Sequence, residues 1–443
     1  MKTVLLIDDD KVIRMVLANA LAKEGWRVLE AEDGQQGIQR ALEDKPDAVV
    51  CDLLMPRCSG FQVCRTLRDK GLKLNDLKIV VTTSQVFDVD RLHALEAGAD
   101  EVMIKPVNTA KLIESISAPR GIAIRSMGSP APADANASAK ISPKKNFLRF
   151  WGVRGSIPTP GPDTVHYGGN TSCVEVRIGG QLIILDAGSG LRALGVQLAK
   201  EFGPKALDMT LLLTHTHWDH IQGFPFFASA YNPKNNIRVI GYEGSRQGLQ
   251  NCFQVQMENP FFPVRLAQMP GNISFELQEE LEIDLGKVQC RVHFANHPGV
   301  TVAYRLESGS SALVYMPDHE AYSRMRLHSA NAPEAIAEVA GFAQAEEEKL
   351  LKFLQGADLL IMDSQYQLEE YESHIGWGHS CFEDTVVTAI KAGLKKLYLF
   401  HHDPSHSDET VSRMVARSRE IVAEHKSDLI VESGREGVSC KLG

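Results

Sequence analysis

The sequence predicts an α/β protein made of two unlike domains, a doubly wound parallel sheet followed by a larger mixed α/β domain. Short apolar runs alternate with amphipathic stretches five times before residue 118, a segment without sustained periodicity follows, and strands then precede any strong helix. The N-terminal runs are residues 4–7, 27–31, 48–51, 79–81 and 102–104. Such strand–helix units imply helices on both sheet faces, with ligands bound beyond the carboxyl ends of the strands. Residues 119–146 are rich in Ala, Ser, Pro and Lys and read as a flexible linker. This divides the chain into domains at 1–118 and 147–443. The second domain opens with predicted strands at 147–151, 174–178, 182–185 and 211–213. A helix is predicted over 334–354, with Glu346, Glu347 and Glu348 on a solvated face.

At 443 residues the chain is too long for one core. Its formal net charge of -9 gives no global attraction to a polyanion, so long nucleic acid is not an expected partner. The eight cysteines include no Cys-x-x-Cys pair and read as reduced, mostly buried thiols. The first apolar run stops at three aspartates, unlike a signal peptide or a membrane span, and a cytoplasmic protein is the simplest expectation.

The N-terminal strand ends carry the acids. Asp8 and Asp9 end the first strand, Asp52 the third, Thr82 the fourth, and Lys105 followed by Pro106 the fifth. Convergent carboxylates suit Mg²⁺, and a lysine with a hydroxyl can meet an incoming phosphoryl group. Strand termination explains any one aspartate but not all these ends together. Over residues 1–118 the pattern resembles the response-regulator receiver family, which implies a flavodoxin-like (βα)5 fold. By that resemblance Asp52 is the phosphorylated residue, Asp8 and Asp9 join it in binding Mg²⁺, and Thr82 and Lys105 are the switch and phosphate-binding residues. Asp10 falls outside the family pair. Val102 departs from the family, which usually carries an aromatic three residues before the lysine.

The strongest motif is Thr214-His215-Thr216-His217-Trp218-Asp219-His220, directly after an apolar strand. Imidazoles two residues apart can point to one metal while the following Asp and His turn to a second. Zinc, manganese or iron suits such nitrogen and oxygen donors. A lone histidine is usually structural, a reading that does not extend to this density of donors. Further candidates end later strands: Asn296-His297-Pro298-Gly299, Met316-Pro317-Asp318-His319 and Phe400-His401-His402-Asp403. Together they resemble the metallo-β-lactamase superfamily, nearest its phosphodiesterase and ribonuclease Z-like branch, over residues 147–443. Gly168-Gly169-Asn170-Thr171-Ser172, Asp186-Ala187-Gly188-Ser189-Gly190 and Gly376-Trp377-Gly378-His379-Ser380 add to that likeness. The resemblance implies an αββα fold, one metal held by His215, His217 and His297, a second by Asp219, His220 and His401, and Asp318 bridging them. It also places His379 beside the leaving group. His401 is chosen over His402 on the register of the preceding strand. His319, His402 and His406 are read as supporting or surface residues, and Asp186 either as a partner for a metal-bound histidine or as a strand-terminating acid. Phe224, Phe226 and Phe227 read as core, while Phe261 and Phe262 leave a base-stacking pocket open.

These expectations combine into a response regulator whose output is a dinuclear metal-dependent phosphodiesterase. Its substrate would be a small diester, a cyclic nucleotide being one candidate, and a sensor histidine kinase would phosphorylate Asp52. Activation is the expected sign. An RNA-processing nuclease needs a basic arm, of which only Lys140, Lys144 and Lys145 are evident. A non-catalytic metal-binding signalling module would not need an open dinuclear site. The N-terminal domain could also act as a device for homodimer formation.

Overall fold

In the computed structural model, the described residues are 2–55, 58–69, 77–83, 94–95, 97–117, 146–242, 248–259, 261–278, 280–325 and 333–442. Apart from Asn146, the predicted linker lies outside them, as do Lys140, Lys144 and Lys145.

Strands β1 (Thr3–Ile7), β2 (Arg27–Ala31), β3 (Ala48–Asp52), β4 (Lys78–Thr83) and β5 (Glu101–Ile104) form a parallel sheet in the order β2-β1-β3-β4-β5. The chain reverses its direction of winding between β1 and β3, which opens a crevice at their carboxyl ends. Asp8 and Asp52 stand there. Asp10 instead serves the adjoining helix, Lys11–Lys23, which it caps by accepting hydrogen bonds from the amides of Val12 and Ile13.

The second domain is a sandwich of two seven-stranded sheets. The first contains β6 (Phe147–Gly152), β7 (Cys173–Ile178), β8 (Gln181–Leu185), β9 (Asp208–Leu213), β10 (Asn236–Gly241), β11 (Asn272–Leu277) and β19 (Ser439–Lys441). The second contains β12 (Glu282–Asp284), β13 (Gln289–Phe294), β14 (Val302–Ser308), β15 (Ser311–Met316), β16 (Leu359–Asp363), β17 (Lys396–Phe400) and β18 (Ile430–Ser433). Side chains alternate between two apolar layers because the strand period is two. In β8, Ile183 and Leu185 enter the space between the sheets, whereas Leu182 and Ile184 meet helix Leu191–Phe202 on the outside. In β15 and β17, Leu313, Tyr315, Tyr398 and Phe400 face inward, while Val314, Met316, Leu397 and Leu399 meet the outer helical layer. Each fully buried aliphatic side chain contributes about 1.5–3 kcal/mol relative to exposure. Both sheet faces are therefore committed, giving the αββα layering and fixing strand register.

The predicted strand at 211–213 begins earlier, at Asp208, because pairing to β10 carries it through polar positions. Helix Pro333–Leu354 occupies the predicted segment, and Glu346 and Glu347 pair with Lys349 and Lys391. Six of the eight cysteines are buried. No helix among the described residues is long and apolar enough to cross a membrane.

Gly152, at an irregularity in the β6–β7 pairing, is held tightly enough to test this packing: a Cβ there would lie 1.8 Å from the Thr171 carbonyl oxygen. Gly152→Ala is expected to lower stability by about 1–3 kcal/mol. Chemical denaturation of the full chain measures it, and an unchanged midpoint would contradict the packing described.

Candidate active site

In the N-terminal crevice, Lys105 Nζ lies 2.8 Å from both Asp8 Oδ2 and Asp52 Oδ1. Burial, reinforced by Asp8 and Asp9, pushes the Asp52 carboxyl up to about 7 against the pull of Lys105. One ammonium thus serves a group of carboxylates, an oxygen-rich donor set that suits Mg²⁺. Thr82, expected to end the neighbouring strand, is its penultimate residue, because β4 runs on to Thr83, and its hydroxyl approaches the Cys51 carbonyl at 3.5 Å. Val102 pairs with Val81 in β5 and is partly buried.

In the second domain, the acids and histidines converge where β9, β13, β15, β16 and β17 end. The possible donor atoms of His215, His217 and His297 lie within 4.8 Å of one another, as do those of Asp219, His220 and His401. Asp318 sits between the groups: its Oδ1 is 3.2 Å from His220 Nε2, and its Oδ2 is 3.7, 3.6 and 3.5 Å from the Nε2 atoms of His215, His297 and His401.

The outward partners of the histidines decide what this convergence means. His220 Nδ1 donates to Asp186 Oδ2 at 2.8 Å, His297 Nδ1 to the Gly378 carbonyl at 2.8 Å, and His401 Nδ1 to Gln365 Oε1 at 3.0 Å. In a neutral imidazole with Nδ1 protonated, Nε2 carries the lone pair. In the neutral form the Nε2 atoms of His220, His297 and His401 turn lone pairs toward carboxylate oxygens, and among the described residues His215 Nε2 is buried without a hydrogen-bond partner. Acceptors brought together in this way repel one another unless a cation stands among them. The residues therefore fit a pair of divalent metal ions.

Charge within the cluster agrees. Burial and its imidazole neighbours hold His215 well below the usual histidine range, and burial does the same to His297. Burial works against the Asp219 and Asp318 carboxylates, yet the surrounding imidazoles, His220 foremost, outweigh it and hold both well below the carboxylate range. His220 is held well above the histidine range, because Asp318, Asp219 and Asp186 together overcome its burial. A proton on His220 and a metal ion are alternative ways of satisfying the same acceptors.

Backbone conformation directs these side chains. Asp186 and His401 have φ of 59°, a left-handed conformation uncommon for residues with a side chain. The turn sends His401 into the cluster and His402 away, where Nε2 meets the Ser433 hydroxyl at 2.6 Å. A Cβ at Gly155 would fall 2.4 Å from the His401 ring, so a glycine is needed to admit it. Asp186 also accepts from the Thr214 amide and the Tyr315 hydroxyl, each at 2.8 Å. His319 meets the Asn296 amide and His406 meets Glu370, both apart from the donor groups.

His379 Nδ1 donates to Asp363 Oδ2 at 2.7 Å, and its ring lies 4.8 Å from that of His297. Asp363, Gln365 and Glu320 were not singled out in the sequence. Asp363 carried the same signal as Asp186, an acid ending an apolar strand, whereas Gln365 and Glu320 offered none. Glu320 accepts the amides of Gly376 and Gly378 at 2.9 and 3.0 Å and thereby holds the loop before His379. Phe224 and Phe227 are buried in the core; Phe226 is exposed and packs edge-on against Phe262, and Phe261 is exposed.

Residues 181–402, just over half of the chain, match the family described as Beta-lactamase superfamily domain, and the chain belongs to that family. Residues 4–117 match the response regulator receiver domain, so the protein joins a receiver to a metallo-β-lactamase fold. The response regulator MprA of Mycolicibacterium vanbaalenii is 38% identical over 115 residues, covering 26% of this chain and 48% of that protein. The chain thus spans about half the length of the curated relatives it matches. Among solved structures, the metallo-β-lactamase fold protein YhfI from Bacillus subtilis is 16% identical with a TM-score of 0.46, covering 67% of this chain and all of that one. A diphosphatase of the PhnP family is 16% identical with a TM-score of 0.44, covering 67% and 97%.

Asp186→Asn is expected to weaken metal affinity by about 10–100-fold, the usual effect of losing the partner that orients a ligand histidine. Competition with a chromophoric chelator measures it, and wild-type affinity would contradict that role.

Proposed function

We propose that this protein is a response regulator with an enzymatic output, a dinuclear metal-dependent phosphodiesterase acting on a small diester and tuned by phosphorylation of Asp52 from a sensor histidine kinase. The observation that carries the enzymatic reading is the convergence of buried lone pairs around Asp318 beside a cavity reached by His379. In this reading His215, His217 and His297 would hold one metal and Asp219, His220 and His401 the other, with Asp318 serving both. Bound there, the metals supply a nucleophile near neutral pH and neutralise a phosphoryl group. The remaining roles fall to side chains and backbone. Asp186, Gln365 and the Gly378 carbonyl fix the ligand rings through their Nδ1 atoms. Asp363 fixes His379 and favours its protonated form, which supplies a proton to the departing oxygen. In the receiver, Asp8 and Asp9 join Asp52 in holding Mg²⁺, while Lys105 and Thr82 meet the phosphoryl group on Asp52.

Regulation is supported by a contact between the domains. Met55, Cys58, Ser59 and Gln62, just after the phospho-acceptor strand, line a closely packed seam with Tyr242, Gln278, Phe294 and Val300. Met55, Cys58 and Val300 are buried in it. Val300 lies three residues beyond His297, so a rearrangement beside Asp52 acts on the loop that carries a proposed metal ligand. Lys349 adds electrostatic attraction toward Asp10 and Asp9.

A panel of bis(p-nitrophenyl) phosphate, cyclic nucleotides, RNA and a β-lactam, run with metal analysis, tests the activity. Diester turnover that chelation abolishes and added metal restores is expected; β-lactam cleavage without diester turnover would refute it. Beryllofluoride, which mimics the phosphorylated aspartate, is expected to raise turnover in the wild type and not in Asp52→Ala. Equal turnover in the presence and absence of the mimic, once its binding is verified, would remove the regulatory part alone.

A further inference from the structure

A cavity of about 550 Å³ opens beside His379 and Pro298, the residue after His297. That volume suits a small organic group. His379, whose ring lies 4.8 Å from that of His297, lines one end, and another wall is aromatic. Tyr366 and His374 stack with ring centres 4.4 Å apart at 19°, and Trp377 meets His374 edge-on at 4.7 Å. Trp377 is 60% exposed although its backbone is fixed. Its amide donates to the His374 carbonyl at 3.0 Å, and the flanking Gly376 and Gly378 amides donate to buried Glu320. A large aromatic side chain is thus held open to solvent at the mouth of the cavity, with part of its surface available to a ligand.

The polar lining is equally selective. Gln365 and Asp403 are joined through Gln365 Nε2 and Asp403 Oδ2 at 3.3 Å, and Ser405 donates to the other Asp403 oxygen. Among the described residues lining the cavity there is no lysine or arginine, and Asp403 is its one carboxylate. An uncharged ring meets aromatic faces together with amide, hydroxyl and carboxylate hydrogen-bonding groups.

We infer that this cavity is the leaving-group subsite and that it takes diesters whose leaving group is an uncharged aromatic or nucleoside-sized moiety, with Trp377 as the stacking residue. The inference rests on the phosphodiesterase reading and narrows its substrate class. Trp377 touches the leaving group without taking part in proton transfer. Its removal acts on binding more than on the chemical step.

The metal-loaded full chain and its Trp377→Ala and Trp377→Phe variants test this with two probes, hydrolysis of bis(p-nitrophenyl) phosphate and calorimetric binding of adenosine. Trp377→Ala is expected to raise KM about tenfold, corresponding to roughly 1.4 kcal/mol, within the range of base–aromatic stacking. Its kcat should fall by less than about twofold and Trp377→Phe should recover most of the loss, a pattern that general damage to the site would not give. Adenosine binding should weaken in parallel. If the wild type hydrolyses the diester and Trp377→Ala changes neither KM nor adenosine binding, the subsite is overturned while the phosphodiesterase reading stands. If no diester is hydrolysed, that reading fails; Trp377-dependent adenosine binding then still supports the aromatic subsite, and its absence overturns it.

Discussion

The interaction on which this structure depends is the enforced approach of buried lone pairs at the ends of the sandwich strands. Folding carries His215, His220, His297 and His401 to Asp318, while Asp186, Gly378 and Gln365 occupy the outward nitrogens of the last three rings. An unpaired buried acceptor is costly, and several facing one another are costlier. A proton on His220 or a bound metal ion relieves this crowding, so the packing that sets the register also sets the chemistry. The layers that hold it are apolar on both sides of each sheet, which leaves little freedom to relax by moving a strand.

The receiver solves a related problem with less crowding. Asp8 and Asp52 share Lys105 at adjacent strand ends, and this cation offsets only part of their negative charge. The phosphorylation proposed for Asp52 would shift forces among Asp52, Lys105 and Thr82, next to the segment that meets Val300. Two sites governed by electrostatics are thus connected through a closely packed seam. Coupling between them requires that the seam differ in the two phosphorylation states.

Much of this was legible in the sequence because strand ends concentrate both signals: an apolar run stops and a donor follows. That rule located Asp8, Asp52, Lys105, His215, His297, Asp318 and His401. Asp363 also ends an apolar strand, but no motif surrounds it to mark a role. Gln365 and Glu320 lay beyond the rule, since their partners His401 and Gly378 are distant in sequence and no local spacing encodes the pairing. The phenylalanine-rich segment around Phe224 and Phe261 suggests an aromatic pocket there, whereas Tyr366, His374 and Trp377 form the wall of the cavity. Clustering of phenylalanines in sequence reported core packing for Phe224 and Phe227, and the exposed ring of consequence sat between two glycines.

The most direct test of the central claim is anomalous diffraction from crystals of the full chain loaded with zinc or manganese, collected on either side of the metal edge. The expected result is a pair of peaks about 3.5–4 Å apart, one within reach of His215, His217 and His297, the other of Asp219, His220 and His401, with Asp318 between them. No metal in this cluster, or density only where the imidazoles and carboxylates hydrogen-bond one another directly, would contradict it.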